Sequence, residues 1–424
     1  MYSLYSALLA VAFVLALPYF LWKGRATGKY RVSFRERMGV LPPTLNPEAA
    51  PSIWIHAVSV GEVLAARVLV APLRQRFPAL RIVVSTTTLT GHLVARSSLE
   101  GADALFFAPF DFRRPVRKAL SAVKPRLLLL VETELWPNLI HEARRAGVRI
   151  AVANGRLSPA SSARYRRIRF LLKHVLAEVD LFLMQGEAHA ERARAIGAPP
   201  DRVRVTGNLK FDALGEPTTP EPLARLLAPA TEPGPLLVAG STMAGEEEMV
   251  LAAFRQVRTR LPQARLILAP RHPERFAETE GLVRTAGFTC VRRTALGVQP
   301  WSAGEVLLLD TMGELASIYP VAQVVFVGGS LVPSGGHNVL EPAAAGKAVV
   351  VGPHMENFQE IADQFRAEGA FVQVASPDAL ADALLGLLTD EARRRQVGER
   401  ARALLSRSKG AVGRTVEALS ELLR

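Results

Sequence analysis

Carboxylates stand at several points of this sequence where a strand should end and a helix begin. The first is in HAVSVGE, residues 56–62. An apolar strand ends near Val58, Gly61 permits a tight turn, and Glu62 falls in the first turn of the following helix. The unpaired N–H groups there favour an ionised carboxylate, and an ionised carboxylate at the edge of a cleft can serve as a general base. The same dipole makes glutamate common in first helical turns, so a structural role for Glu62 stays open beside the catalytic one. The second point is ETELWPN, residues 132–138, directly after the apolar run Leu127–Val131. Glu132 and Glu134 are two residues apart and would share one face of an extended chain. Trp136 and Pro137 then open a helix, proline being suited to its first turn. A capped helix start explains the same residues without chemistry. The third motif, GNLKFD at 207–212, contributes Lys210, a cation near the end of the first half of the chain.

The second half repeats the design with a different chemical emphasis. GSTMAGEE (240–247), PRHPER (270–275) and DTMGEL (310–315) each follow a strand candidate, and PRHPER carries Pro270, Arg271, His272 and Arg275. The longest motif runs from Phe326 to Phe358. Its Gly328, Gly329, Gly335 and Gly336 let a backbone approach a ligand closely. A helix expected to start near His337 would point its N–H groups at an anion. Glu341, one turn past Asn338, is placed to accept hydrogen bonds from a ribose. No P-loop and no clean GxGxxG is present, which counts against ATP hydrolysis and NAD binding. There is no Asp-x-Asp motif and no Cys/His spacing of a metal site, so neither a metal nor a cofactor is expected. The single cysteine, Cys290, excludes a disulfide framework.

These motifs need a scaffold that presents strand ends. Strands are expected at Ile53–Val58, Arg81–Thr86, Asp103–Phe107, Arg126–Val131, Val148–Ala153 and Asp180–Met184, with amphipathic helices such as Glu62–Phe77 and Leu135–Ala146 between them. Residues 213–235 hold six prolines and read as an interdomain linker. Alternation resumes at Leu236–Ala239, Arg265–Ala269, Val306–Leu309, Val324–Val327 and Ala348–Val351, and the chain ends in helices near 378–388, 391–406 and 411–423. Strand–helix alternation implies parallel sheets covered on both faces. The expected fold class is α/β: a Rossmann-like, doubly wound N-terminal domain (51–212) and a second one (236–424). Two such domains form a cleft lined by strand C-termini, where open α/β sheets bind ligands. Glycosyltransferases of the GT-B type, some sugar-nucleotide epimerases and non-catalytic sugar binders all fit that architecture.

Composition narrows the choice of partners. The chain has 424 residues, 49% hydrophobic, and a formal net charge of +13, enough apolar matter for two cores. Nucleic acid, an anionic membrane or an anionic substrate could each answer the charge; no nucleic-acid-binding signature is present. Residues 1–22 contain no charged side chain, and at 1.5 Å per residue ~21 helical residues span about 31 Å, the thickness of a bilayer core. Lys23, Arg25, Lys29, Arg31, Arg35 and Arg37 follow, opposed only by Glu36. Neither the basic start nor the cleavage site of a signal peptide is found. Residues 1–22 are therefore expected to be an uncleaved membrane anchor and 23–50 a basic juxtamembrane segment, with everything beyond on the cytoplasmic side. Pro18, Tyr2, Tyr5 and Tyr19 also fit a helix lying partly in the interface. The segment precedes the first strand by about thirty residues and is expected to add little to either core.

Seven blocks in this order resemble one family. H-x-x-S-x-G-E, ETELWPN, NGRLS (154–158), GNLKFD, PRHPER, DTMGEL and GGHN-x-LEPA-x-x-GK look like the 3-deoxy-D-manno-octulosonic acid (Kdo) transferases, from the anchor to about residue 375. The resemblance implies a GT-B fold, CMP-Kdo as donor, and a tetraacyl disaccharide bisphosphate lipid A precursor as acceptor. It places the protein at the cytoplasmic face of the inner membrane of Gram-negative cells, in lipopolysaccharide assembly. By motif, Glu62 would be the base, while Glu132 and Lys210 would support the transition state. Pro270, Arg271, Met312, Gly313, Glu314 and the turn Asn338, Val339, Leu340 and Glu341 would hold CMP.

The chemistry of the residues agrees with that expectation. A CMP-sugar carries one phosphate, which a helix N-terminus and Arg271 can neutralise without a metal. Displacement through an oxocarbenium-like transition state would invert the anomeric centre, and carboxylates such as Glu132 could stabilise the developing positive charge. The basic, partly apolar stretch Arg164–His174 could face anionic inner-membrane lipids or acceptor phosphates, or be a solvated helix face. Two other functions suit the same architecture: a UDP-sugar-dependent GT-B transferase acting on a lipid, and a membrane-anchored sugar-nucleotide binder without turnover.

Overall fold

A computed structural model of the chain describes residues 2–27, 33–215, 217–227, 234–296, 301–302 and 304–424, without the side chains of 17–27. It forms two compact units: Met1–Ala213 with Ser408–Arg424, and Leu214–Arg407.

The first unit holds seven strands: β1 (Ser52–His56), β2 (Arg81–Thr86), β3 (Ala104–Phe107), β4 (Pro125–Val131), β5 (Arg149–Gly155), β6 (Leu181–Met184) and β7 (Val203–Val205). They pair in parallel in the order β3-β2-β1-β4-β5-β6-β7. Successive residues of one strand serve opposite faces. Trp54, Leu128 and Leu130 enter one core cluster, and Ile53, Ile55, Leu127 and Leu129 enter the other. Both faces are covered, so β1 is apolar without alternation from Ile53 to Ile55, as parallel strands are. Strand order reverses between β1 and β4, the topological switch point at which such sheets bind ligands.

The second unit repeats the plan with β8 (Leu236–Thr242), β9 (Arg265–Pro270), β10 (Cys290–Arg292), β11 (Val306–Leu308), β12 (Val324–Val327), β13 (Ala348–Val351) and β14 (Val372–Gln373). The order is β10-β11-β9-β8-β12-β13-β14, again parallel throughout. Its switch point lies between β8 and β12. The strands β7, β10 and β14 were not expected from sequence. Each is two or three residues long and sits at a sheet edge, where an apolar run is not required.

Three expectations about organisation need correction. The final helix, Ala411–Leu423, was placed in the C-terminal domain, yet it belongs to the first unit. Ala411, Ala418 and Leu419 complete the core beneath Ile53 and Ile55. Asp212 accepts from the main-chain N–H groups of Gly410 (2.7 Å) and Val412 (2.6 Å), holding the start of that helix. The proline-rich linker contains a helix, Glu221–Leu227, whose Leu223 and Leu227 are buried, and Thr219 donates to the Ser317 carbonyl at 2.6 Å. Prolines 220 and 222 are tolerated because they flank the helix start. Residues 216 and 228–233 of the expected linker lie outside the described residues.

The third correction concerns the N-terminus, where a helix runs over Tyr2–Thr27. Its first turns are integrated into the first unit. The Tyr2 ring stacks on His141 at 3.8 Å, the Tyr5 hydroxyl donates to Asp111 at 2.9 Å, and Ser6 exchanges hydrogen bonds with Asn138. Phe13 meets Phe110 and Phe112 edge-on at 5.3 and 5.5 Å. The opposite face, Leu4, Leu8, Val11 and Leu15, is exposed. Among the described residues, no helix is long and apolar enough to cross a membrane. Met1 and the side chains of residues 17–22 of the expected anchor lie outside the described residues, as do Lys29, Arg31 and the side chains of Lys23 and Arg25.

Candidate active site

Glu62 sits where β1 hands over to the helix Val60–Arg76. Ser59 is the N-cap, and Ser59 and Glu62 stand at the spacing of a capping box. The Glu62 carboxylate accepts from the Ser59 hydroxyl and from the Val58 N–H, both at 2.7 Å. This residue is therefore a structural cap as well as a candidate base. Burial pushes its carboxyl up to about 7, against the pull of those two hydrogen bonds, and the charges of Glu134 and Glu132 add to the rise. A carboxylate poised near neutrality is matched to accepting and releasing a proton at physiological pH.

The second group follows β4, the strand beside β1 at the switch point. The strand ends at Val131, and Glu132 has φ +62°. The expectation that Glu132 and Glu134 share a strand face therefore fails, since the left-handed residue breaks the alternation. Non-glycine residues in that region are strained and concentrate at functional sites. The turn aims Glu132 at Lys210, whose Nζ lies 3.7 Å from its Oε1. Lys210 is carried by a short turn, Leu209–Phe211. Asn154, itself at φ +56°, accepts from the Leu209 N–H at 3.0 Å and so holds that turn. Glu134 accepts from the Trp136 indole N–H at 2.8 Å, and burial raises its carboxyl above the ordinary range. Trp136 in turn lies edge-on to His56 at 4.7 Å. Full burial holds the His56 imidazole down to about 3, hence neutral, with Nδ1 2.9 Å from the Ser85 hydroxyl. The three residues expected to be catalytic thus fall in one unit, with Glu132 ion-paired to Lys210 and both glutamates within electrostatic reach of Glu62.

The expected nucleotide-binding residues all fall in the second unit. Pro270 ends β9, and the Arg271 N–H donates to the Thr242 carbonyl at 2.9 Å. Met312 is exposed, and Gly313 has φ +85° with open space where a Cβ would stand. Glu314 accepts from Arg293 at 2.8 Å and from the Thr311 hydroxyl. The helix expected near His337 begins only at Leu340 and lasts five residues. The cause is two consecutive left-handed glycines, Gly335 and Gly336, followed by Asn338, whose Oδ1 already accepts the Leu340 N–H at 3.0 Å. Val339 and Leu340 are buried, which leaves Asn338 and Glu341 as the partly accessible residues of this turn. Asn338 Nδ2 donates to Glu341 at 3.1 Å. Burial raises the Glu341 carboxyl, with the Asn338 bond and the nearby Arg271 charge pulling it down. Burial also holds His337 down to about 4, helped by Arg271 and His272. Arg271, His337 and Glu341 therefore converge electrostatically.

Sequence reasoning missed what holds this cradle together. Glu246 is fully buried and accepts main-chain N–H bonds from Met243 (2.9 Å), Gly329 (2.6 Å), Ser330 (2.9 Å) and Leu331 (2.8 Å). Three successive N–H groups form a ready anion nest, and here the protein fills it with its own carboxylate. The neighbouring Glu247 pairs with Arg275 of PRHPER at 2.6 Å. The available signal was the run Glu246–Glu248 just past an apolar strand, since any of these carboxylates that is buried needs partners. Among the described residues no cluster of three or more His, Cys, Asp or Glu could hold a metal ion.

Two parallel, doubly wound seven-stranded sheets define a GT-B-like fold. The UDP-GlcNAc 2-epimerase of Neisseria meningitidis bound to UDP-GlcNAc has a similar fold, with TM-score 0.57 and 11% identity over 88% of this chain and all of that one; this likeness concerns the fold alone. Residues 32–213 match the 3-deoxy-D-manno-octulosonic-acid transferase family, and residues 295–404 match glycosyl transferases group 1. The 3-deoxy-D-manno-octulosonic acid transferase of Haemophilus influenzae is 33% identical over 99% of this chain and 98% of its own. That of Bordetella pertussis is 35% identical over 94% of each. The chain belongs to the Kdo transferase family and is a glycosyltransferase. Of the functions open to the sequence, the UDP-sugar transferase and the inert binder are thereby set aside.

Proposed function

We propose that the protein transfers Kdo from CMP-Kdo to a tetraacyl lipid A precursor with inversion, using Glu62 as general base. The observation that carries this reading is the Glu62 carboxyl, buried and poised near neutrality beside Glu132 and Glu134. In the reaction, Glu62 takes the proton of an acceptor hydroxyl as its oxygen bonds to the anomeric carbon. The bond from that carbon to the phosphate oxygen breaks, and CMP leaves with the electron pair. Glu132 faces the positive charge that develops on the sugar, and its partner Lys210 fixes its position. Arg271 neutralises the phosphate, while Asn338 and Glu341 receive the ribose. The main chain of Met312, Gly313 and Glu314 lines the nucleotide, beside Pro270.

The protein acts at the cytoplasmic face of the inner membrane. The exposed stripe Leu4, Leu8, Val11 and Leu15 recurs every three or four residues, the spacing of a single helix face. Ile168 and Phe170 are exposed among Arg164, Arg166, Arg167, Arg169 and Lys173, which suits an anionic lipid surface. These features favour a helix that lies along the membrane with its other face on the protein.

The test incubates wild type and Glu62→Gln with CMP-Kdo and the tetraacyl precursor, with mass spectrometry counting added sugars. Wild type adds Kdo and the variant adds none while still binding CMP. Near-normal transfer by Glu62→Gln would reject the base assignment.

A further inference from the structure

We propose that the N-terminal helix is a positioning element for the catalytic loop 132–136, acting through Tyr5 and Ser6 on the start of the helix Pro137–Arg145. The proposal rests on the reading of Glu132 and Glu62 given above.

The helix Pro137–Arg145 begins directly after the loop that carries Glu132 and Glu134. Its N-cap residue is Trp136, which has no side-chain acceptor for the first N–H groups. Such groups must find partners elsewhere when buried. Asp111, distant in sequence, supplies them: its Oδ1 accepts from Leu139 N at 2.7 Å and its Oδ2 from Asn138 N at 3.2 Å. The N-terminal helix completes this surrogate cap. The Tyr5 hydroxyl donates to the same Oδ2 at 2.9 Å, and Ser6 Oγ both donates to Asn138 Oδ1 (3.2 Å) and accepts from Asn138 Nδ2 (3.1 Å). One turn further on, His141 carries the stacked Tyr2 ring.

The node is buried. Asn138 is fully inaccessible and Asp111 nearly so, so each lost partner leaves a polar group without water to replace it. From the node the path to the chemistry is short. The capped helix fixes Trp136, Trp136 holds Glu134 by its indole N–H and packs on His56, and Glu134 lies within electrostatic reach of Glu62. A tether requires none of this. A hydrophobic anchor could join the domain by a flexible chain, whereas this helix directs its hydroxyls into the cap of a catalytic element.

The test uses the full-length protein in detergent micelles with saturating acceptor, where delivery to a bilayer plays no part. Tyr5→Phe keeps the ring and removes only the hydroxyl. It should lower kcat by roughly three- to tenfold, as small misplacements of catalytic groups do, with acceptor KM and CMP affinity unchanged. Ser6→Ala should lower kcat likewise, and Ser6→Thr, which restores a hydroxyl, should recover most of it. A tether alone predicts unchanged kcat in micelles for all three, with any loss appearing as raised acceptor KM in vesicles; that outcome would overturn the proposal. If Tyr5→Phe fails to fold, judged by its melting curve, the Ser6 pair decides. Glu62→Gln is run in parallel, so that retained activity there rejects the base assignment independently of the kcat comparison.

Discussion

Glu62→Gln should abolish transfer and at the same time stabilise the first unit above neutral pH. The folded state raises the Glu62 carboxyl from 4.5 to about 7. Between those two values the unfolded chain has released its proton while the folded one still holds it. Stability therefore falls as pH rises through that window, and levels off above about 7. At about 1.4 kcal/mol per pH unit, the loss amounts to roughly 3 kcal/mol. Glutamine stands in for the protonated form and cannot ionise, so it escapes the loss. It can still accept one of the two bonds from Val58 and Ser59, which leaves an expected gain of about 2 kcal/mol at pH 8. For a unit of this size that is about 4–8 °C in Tm. The assay is thermal unfolding of wild type and variant at pH 5 and pH 8, alongside kcat/KM from pH 5 to 9. Wild-type kcat/KM should rise through about pH 7 as the base ionises. A variant whose Tm tracks wild type at both pH values would refute the claim that burial strains this carboxylate.

Three further outcomes are expected. Arg271→Ala should weaken CMP binding by roughly ten- to a hundredfold, the worth of one charge-assisted hydrogen bond; unchanged affinity by calorimetry would remove Arg271 from the site. Lys210→Ala should lower kcat by about tenfold or more by freeing Glu132, with CMP affinity intact, and a purely KM effect would contradict this. Glu246→Ala leaves three buried N–H groups and the half-buried one of Met243 without their acceptor, which should cost at least about 3 kcal/mol and abolish CMP binding; a stable variant that binds CMP normally would show that the glycine loop holds its shape unaided.

Much of the scaffold was legible because parallel strands covered on both faces read as near-continuous apolar or β-branched runs. The runs 81–86, 324–327 and 348–351 have the expected boundaries. What escaped was whatever depends on distant partners. Val203–Val205 and Cys290–Arg292 are strands only because a neighbour offers its edge. Asp111 caps a helix that begins twenty-six residues later, and Glu246 bonds a loop more than eighty residues away; no local pattern encodes either pairing. Glu62 was the opposite case, since its place in the first turn of a helix follows from the local sequence. The candidate catalytic residues were found by motif. Their strain was not, since nothing in ETELWPN announces that Glu132 adopts a left-handed backbone.

The return of residues 408–424 to the first unit has a consequence for how this protein is made. A chain emerging from the ribosome exposes residues 1–213 first, but the layer beneath Ile53, Ile55 and Leu69 lacks Ala411, Ala418 and Leu419 until residues 408–424 have been made. The first unit waits unfinished, with an apolar face open, while the second is synthesised and folds. Domains that complete in sequence order avoid this interval. A chain that stops at residue 407 should therefore fold its second unit while its first unit binds chaperones, and restoring residues 408–424 should end that binding.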